Sequence, residues 1–235
     1  KDNSRYLNTD SDSEVLLNVV ADEIGKAHTK QLLPAHIFKA MKKVFKRIKG
    51  SYSVICLIAG HGLIAFRDPH GIRPLILGER KTPAGSEFIV ASESVALDTL
   101  GFSILRDVNP GEAIFIDMNR QVHSKQVELP KWAPCIFEYV YLARPDSVID
   151  GINVYKSRLR MGKFLADKIK ESMKKGLKID VVVPVPDTAR SSAFEIAASI
   201  GVHYREGLIK NRYIGRTFIM PGQGIRKRSI KYKVN

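Results

Sequence analysis

The sequence predicts two consecutive domains, an α+β domain followed by an α/β domain. Helical periodicity in the first 50 residues gives way to short strand-like runs joined by glycine turns, which is typical of α+β layers. Two prolines flank the single tryptophan in residues 129–134, and this change indicates a domain boundary. A long amphipathic helix, a compact apolar strand and another helix then follow in α/β order. We therefore assign residues 1–132 to the first domain and residues 133–235 to the second.

Two helices are predicted at the start of the chain. Ser11, followed three residues later by Glu14, forms a capping-box pattern, so the first helix begins near residue 12. Residues 34–49 place apolar side chains on one face and lysines mostly outside it, which predicts a second, amphipathic helix. Gly50 ends that helix.

The hydrophobic period then changes to that of strands. Residues 52–59 and 63–66 are apolar runs joined by a glycine-containing turn, which predicts a hairpin. Further strands are predicted at residues 74–77, 87–91, 113–117 and 121–124. Between the hairpin and the next strand, residues 66–74 are interpreted as a turn held by an Arg–Asp pair.

The second domain begins with a long amphipathic pattern over residues 153–175, which predicts a helix. Its apolar face is predicted to consist mostly of Leu159, Phe164, Leu165, Ile169 and Met173. Residues 179–186 predict a buried strand ended by proline, and a helix running to Ile200 follows.

The turn after this apolar strand is the most informative local feature of the second domain. In open α/β sheets, ligands bind beyond the carboxyl ends of strands, at helix N-termini. Asp187 and Thr188 occupy that position. Their oxygens could cap the helix, bind a divalent cation through water or contact a sugar hydroxyl. The pattern alone favours helix capping.

Composition narrows the class of protein. The chain has 235 residues, of which 44% are hydrophobic and 26% charged, values that exclude a wholly disordered chain, a collagen and a coiled-coil rod. No run approaches the roughly 20 apolar residues that a membrane-spanning helix needs, so no membrane association is expected. Two cysteines exclude a disulfide scaffold, and a reducing, cytoplasmic location is expected.

Positive charge is concentrated at the end of the chain. The formal net charge is +14, and residues 205–235 hold nine basic side chains and one acid, which places +8 in that segment. Such a block favours a polyanion, which from composition alone is a nucleic acid, the phosphates of a small substrate or an acidic partner surface. Residues 210–219 interleave cations and aromatics, as either a nucleic-acid arm or a mobile phosphate-binding loop would.

Five segments in chain order resemble the glutamine phosphoribosylpyrophosphate amidotransferase family. They are residues 8–14, 65–75, 91–98, 137–147 and 210–218. The resemblance implies that residues 1–132 are part of an N-terminal-nucleophile glutaminase domain with αββα layers. It implies that residues 133–235 are part of an α/β type I phosphoribosyltransferase domain.

The resemblance also implies a reaction. The family hydrolyses glutamine, and the ammonia attacks C1 of phosphoribosyl pyrophosphate to give 5-phosphoribosylamine, the first committed intermediate of purine (IMP) biosynthesis. It implies Mg²⁺ as cofactor, purine nucleotides as feedback inhibitors and a homo-oligomer, with no nucleic-acid partner. One branch of the family carries a [4Fe–4S] cluster, which this sequence does not decide.

Site residues are carried over position by position. Asp12 matches the acid that holds the α-ammonium group of glutamine, and Thr188, with Asp187 beside it, matches a Mg²⁺ position. Cys135 matches a position that ligates the cluster in the branch that has one. Substrate-binding residues of the loop that closes over phosphoribosyl pyrophosphate are expected at Lys210, Arg212, Tyr213 and Arg216.

The resemblance places no catalytic residue in this sequence. The family's nucleophile is an N-terminal cysteine whose α-amine serves as the base, whereas this chain begins at Lys1. Neither Cys56 nor Cys135 can take that role. We therefore expect an internal piece of a longer enzyme, inactive by itself in both half-reactions.

Two other function classes stay open at this point. One is a basic nucleic-acid-binding protein whose cationic tail is the binding arm, which salt-sensitive affinity for DNA or RNA would reveal. The other is the glutaminase part of a different amidotransferase, such as a relative of glucosamine-phosphate synthase. The turn at Asp187 and the cationic loop argue against the latter.

Overall fold

A computed structural model describes residues 7–27, 32–211, 213 and 222–234. The chain divides into two compact units. The first unit comprises Lys1–Glu138 and Ser147–Gly151, and the second comprises Tyr139–Asp146 and Ile152–Asn235. The domain boundary after residue 132 stays a prediction of the sequence.

The first unit contains helices and antiparallel strands. In chain order they are α1 (Asp12–Ala27), α2 (Pro34–Arg47), β1 (Ser53–Ile58), β2 (Gly62–Arg67), β3 (Ile76–Thr82), β4 (Gly85–Ala91), α3 (Ser94–Thr99), β5 (Ser103–Asp107), β6 (Glu112–Asp117), β7 (Val122–Gln126) and β8 (Val148–Ile149). The strands form one sheet in the order β1-β2-β6-β7 and another in the order β4-β3-β5. The predicted helices and the hairpin β1–β2 are therefore confirmed.

The first unit has four layers, because successive residues of a strand point to opposite faces of its sheet. Ile64 and Phe66 of β2 join the core cluster formed with α2, whereas Ala65 points to the opposite face and packs with Leu75 and Leu77 beside the second sheet. On the outer face of that sheet, α3 lies close to β3. A Cβ on Gly78 would come within 2.4 Å of Leu97. The first unit is thus ordered helix, sheet, sheet, helix, which is the αββα arrangement expected from the resemblance.

The start of α1 differs from a simple capping box. The Glu14 carboxylate accepts hydrogen bonds from the backbone N–H groups of Asn8 and Thr9, both at 2.8 Å, whereas the Ser11 N–H donates to the Thr9 hydroxyl at 3.3 Å. The Thr9 hydroxyl donates to the same carboxylate at 2.6 Å. These contacts lower the pKa of Glu14 and fix the approach of the chain to the helix.

In the first unit, α3, β5 and the two-residue strand β8 were not predicted, and one strand is displaced. Helix α3 and strand β5 carry short, mixed patterns that sequence periodicity does not resolve. The strand predicted at residues 74–77 lies instead at Ile76–Thr82, because its second half is polar and exposed where it pairs with β4.

The turn after β2 is held differently from the prediction. The Arg67 guanidinium pairs with Asp150 through contacts of 2.6 and 2.9 Å, not with neighbouring Asp68. It also donates to the backbone carbonyls of Arg73, Val108 and Gly71. Asp68 accepts from the backbone N–H groups of the turn instead. The pair is long-range in sequence, so local spacing could not reveal it.

The second unit is built on two packed helices. Its elements are β9 (Ile152–Asn153), α4 (Val154–Lys174), β10 (Val181–Val182), α5 (Arg190–Ile200), β11 (His203–Tyr204) and α6 (Gln223–Lys233), with a short π-helix at Glu138–Leu142 preceding them. Strands β10 and β11 pair in parallel. The strand predicted at residues 179–186 is therefore much shorter, and Val181 is 42% exposed, so its predicted burial is wrong for this chain.

The predicted apolar face of α4 is also wrong. Its buried positions are Val154, Arg158, Gly162 and Ala166, whereas Phe164 is 72% exposed. Small side chains are buried because α5 packs closely there. A Cβ on Gly162 would lie 2.6 Å from the backbone oxygen of Ser192.

Candidate functional site

Asp12 lies in the first turn of α1, at the edge of a cleft of about 620 Å³ in the first unit. The helix N-terminus favours a negative charge at this position. Its side chain is exposed and its Oδ1 accepts a 3.4 Å hydrogen bond from the Ser13 hydroxyl. Of the described residues that line the cleft, Asp12 is the one carboxylate. The site therefore offers an accessible anion to a cationic group.

Two of the three cations that border this cleft, Arg47 and Arg73, are engaged by other carboxylates, whereas the third, Lys49, is exposed. Arg47 contacts Glu23 at 2.6 Å and also pairs with Asp22. Arg73 pairs with Glu138, which is almost completely buried. Burial raises the pKa of Glu138, and Arg73 opposes that rise. These contacts leave Asp12 without a salt bridge among the described residues of the cleft.

A second candidate site lies in the second unit, between the end of β10 and the start of α5. The Lys210 ammonium group lies 2.9 Å from Asp187 Oδ2, and Arg190 Nη1 lies 3.9 Å from Asp187 Oδ1. Arg190 Nε in turn lies 3.3 Å from Glu206 Oε1. The structure thus brings Lys210, predicted to bind substrate, against Asp187, predicted to bind metal.

Helix capping, which the sequence pattern favoured for Asp187 and Thr188, does not occur. The N-cap residue of α5 is Ala189, and no side chain caps the helix. The Asp187 backbone oxygen accepts from the Arg190 N–H at 3.3 Å, while its carboxylate turns to Lys210. The carboxylate is therefore committed to a cation rather than to the helix backbone.

The remaining predicted site residues are not brought together. Arg212 and Arg216 lie outside the described residues. Tyr213 is 99% exposed. Cys135 is half-buried, and Cys56 lies in β1, where burial raises the pKa of its thiol. Over residues 7–27, 32–211, 213 and 222–234, no group of three or more His, Cys, Asp or Glu side chains could hold a metal ion.

Arg158 is a buried residue that the sequence analysis missed. Its Nε donates to the Tyr139 carbonyl at 2.7 Å and its Nη2 to the Ala143 carbonyl at 2.8 Å, which fixes the π-helix against α4. An arginine on an amphipathic helix is normally expected at the surface. The signal that could have revealed it is the four-residue spacing to Gly162 and Ala166, which marks a closely packed face.

Comparison with known proteins links these features to one family. The sequence model of the glutamine amidotransferase domain family matches residues 1–99. The chain is 54% identical over 232 residues to an amidophosphoribosyltransferase of Pseudomonas aeruginosa, with 98% of the chain aligned. The chain is similar over nearly its whole length to members of the amidophosphoribosyltransferase family. Members from Escherichia coli and Saccharomyces cerevisiae are 51% and 48% identical over 98% and 100% of the chain.

Solved structures of the family agree with the fold. A glutamine phosphoribosylpyrophosphate amidotransferase from B. subtilis, complexed with ADP and GMP, superposes with a TM-score of 0.75 at 34% identity and covers 100% of this chain. The chain spans 46% of the length of the curated Pseudomonas relative and 47% of that solved chain. Among the described residues, no helix combines the length and apolarity that a bilayer crossing requires.

Proposed function

We propose that the whole protein makes 5-phosphoribosylamine from glutamine and phosphoribosyl pyrophosphate, as the first step of purine biosynthesis. The observation that carries the proposal is 54% identity over 98% of the chain to a named amidophosphoribosyltransferase. The αββα unit with an accessible acid in its cleft and the cationic second unit support the two half-reactions. Cytoplasmic location and a homo-oligomeric state, both expected from the sequence, belong to the same proposal.

In the glutaminase half, Asp12 holds the α-ammonium group of glutamine. A carboxylate paired with an ammonium group forms a charge-assisted contact, and the exposed position of Asp12 in the cleft leaves it open to a ligand. Neither Cys56 nor Cys135 is the nucleophilic cysteine that releases ammonia. The role of this part of the chain is therefore to bind and orient glutamine.

In the second half, we assign the second unit to a phosphoribosyltransferase domain. Lys210 contacts the phosphates, and the loop with Arg212, Tyr213 and Arg216 closes over the substrate. Cations around the diphosphate stabilise the negative charge that develops as pyrophosphate leaves C1 of the ribose. Purine nucleotides as feedback inhibitors are proposed too, since a relative's structure was solved with ADP and GMP bound.

The two cofactors differ in how well the residues suit them. Magnesium prefers oxygen ligands and commonly uses one or two carboxylates together with substrate phosphates. Asp187 and Thr188 supply such oxygens and would hold Mg²⁺ with the help of substrate and water. When bound, Mg²⁺ neutralises diphosphate charge. A [4Fe–4S] cluster needs four ligands, usually thiolates, whereas the chain has two cysteines, so these residues do not by themselves fit a cluster.

The test is a two-product assay of the whole protein with glutamine, phosphoribosyl pyrophosphate and Mg²⁺. We expect glutamate and pyrophosphate to appear in equal amounts, with ammonia able to replace glutamine as nitrogen donor. Glutamate release without pyrophosphate release would indicate a different amidotransferase. Salt-sensitive binding of DNA or RNA without either product would favour the nucleic-acid-binding alternative.

A further inference from the structure

The ion pair between Lys210 and Asp187 joins two residues that the proposed reaction needs for different ligands. The 2.9 Å contact is only half-buried, with 31% of the Lys210 side chain and 40% of the Asp187 side chain exposed. An ion pair of this exposure contributes about 0–1 kcal/mol, because water competes with each partner. The contact therefore forms readily and breaks readily.

The backbone at Lys210 is held while its ammonium group can move. Lys210 pairs with Val234 in an antiparallel bridge, and the Asn211 N–H donates to the Lys233 carbonyl at 2.7 Å. Helix α6 therefore fixes where the lysine stem begins. Its four-carbon chain carries a point charge that can rotate from the carboxylate to a nearby anion without moving the backbone.

Arg190 does not replace Lys210 as the partner of Asp187. Its Nη1 atom is 3.9 Å from the carboxylate, whereas its Nε atom is 3.3 Å from Glu206. Lys210 is thus the closer cation on Asp187, and the charge of this carboxylate becomes more exposed when Lys210 leaves.

We propose that Lys210 is an exchangeable counter-ion of Asp187, which a divalent cation and a diphosphate replace together. The cation takes the carboxylate, and the diphosphate takes the ammonium group. Either ligand alone meets a cost, since a metal must displace Lys210 and a bare diphosphate must draw Lys210 from Asp187. The identity of the two ligands rests on the proposed function. The inference adds that Lys210 neutralises the charge of Asp187 while neither ligand is bound.

The first experiment measures binding of inorganic pyrophosphate to the whole protein in metal-free buffer. Four forms are compared: wild type, Asp187→Asn, Lys210→Met and the double variant. Because freeing Lys210 recovers the energy of a half-exposed ion pair, we expect Asp187→Asn to tighten binding about fivefold. In the Lys210→Met background, the same substitution should change affinity less than about twofold.

The comparison separates exchange from simple repulsion. If Asp187 only repelled the anion, Asp187→Asn would tighten binding equally, or more, when Lys210 is absent, and that result would overturn the proposal. Asp180→Asn, an exposed substitution with the same charge change, serves as control and should leave the affinity unchanged.

The second experiment measures binding of Mn²⁺ alone, as a probe of the divalent-cation site. Lys210→Met should tighten Mn²⁺ binding severalfold, since it removes the competing cation, and Asp187→Asn should abolish the gain. Lys178→Met, at an exposed position, is the matched control. Unchanged or weaker Mn²⁺ binding in Lys210→Met would contradict the exchange. Neither measurement uses glutamine or phosphoribosyl pyrophosphate, so failure here and failure of the enzymatic assay are independent.

Discussion

The Arg67–Asp150 pair of the first unit and the Lys210–Asp187 pair of the second use the same attraction in opposite environments. Arg67 is 1% and Asp150 7% exposed, and the guanidinium also satisfies three backbone carbonyls. Lys210 and Asp187 are 31% and 40% exposed, with a single short contact between them. The first pair is enclosed by its surroundings, and the second is open to water.

The difference shows that burial decides whether an ion pair persists or exchanges its partners. Removing one partner of a buried pair leaves an uncompensated charge in a poorly solvated place, so such a pair persists. An exposed pair loses little when water or a ligand replaces one partner, so it can exchange. Arg67 therefore maintains the fold, whereas Lys210 is suited to ligand binding.

The largest expected effect is that of Arg67→Met. It leaves the Asp150 carboxylate and the carbonyls of Gly71 and Val108 without the guanidinium donor, so we expect a loss of about 3–5 kcal/mol in the free energy of unfolding. Chemical denaturation measures it. Arg80→Met, which removes an exposed pair with Glu87, is the control and should cost less than about 1 kcal/mol. Similar losses in both variants would mean that burial does not separate the two kinds of pair.

Gly162→Ala tests the packing of α4 on α5 in the second unit. Alanine favours a helix over glycine by about 1 kcal/mol, yet its Cβ would meet the Ser192 backbone oxygen at 2.6 Å. We expect a net loss of about 1–3 kcal/mol in unfolding free energy. Gly25→Ala in α1 is the matched control, since nothing lies within 4 Å of its Cβ, and it should stabilise. Stabilisation by both substitutions would show that the helices can separate at no cost.

Asp107 tests the electrostatics around the buried Arg67 pair. Burial raises the pKa of Asp107 above its unfolded value of about 3.9, so the folded state binds more protons and stability falls as pH rises through the raised pKa. Asp107→Asn removes this dependence. Relative to wild type, it should therefore gain stability as the pH rises from 4 to 7.

Asp117→Asn is the control, because its change in stability relative to wild type should have the opposite sign. A hydrogen bond with His123 lowers the pKa of Asp117, so its stabilising contribution is present above the unfolded pKa and is lost as pH falls through the folded pKa. Asp117→Asn should accordingly lose stability relative to wild type between pH 4 and pH 7. Urea denaturation at both pH values measures the two differences. The same sign in both variants would contradict the assigned causes.

The smallest effect on stability is expected for Asp12→Asn, at most a few tenths of a kcal/mol from the helix N-terminus. Its effect on function should be large in the whole protein, because the contact with the α-ammonium group of glutamine is lost. Kinetics with glutamine and with ammonia should show a loss of about tenfold or more only for glutamine. Equal losses with both donors would limit Asp12 to supporting the helix.

Periodic elements were predictable wherever burial follows a regular pattern. Helix α2 has one continuous buried face, so its apolar residues repeat with the helical period. The hairpin β1–β2 was predictable as two short apolar runs joined by a glycine-containing turn. Helix α4 was predicted with the wrong face because it packs through Gly162 and Ala166, which carry little hydrophobic signal. Helix α6 was not predicted, since its basic sequence has no apolar stripe.

The sequence by itself determined the family resemblance, the layered helix-and-strand order of the first unit and the candidates Asp12, Asp187, Thr188 and Lys210. Local pattern and motif spacing carry that information. Only the tertiary structure decided which charges meet, since Arg67 and Asp150 lie 83 residues apart and Lys210 and Asp187 lie 23 apart. Electrostatic pairing depends on distance in space and on exclusion of water, and neither is written in local sequence.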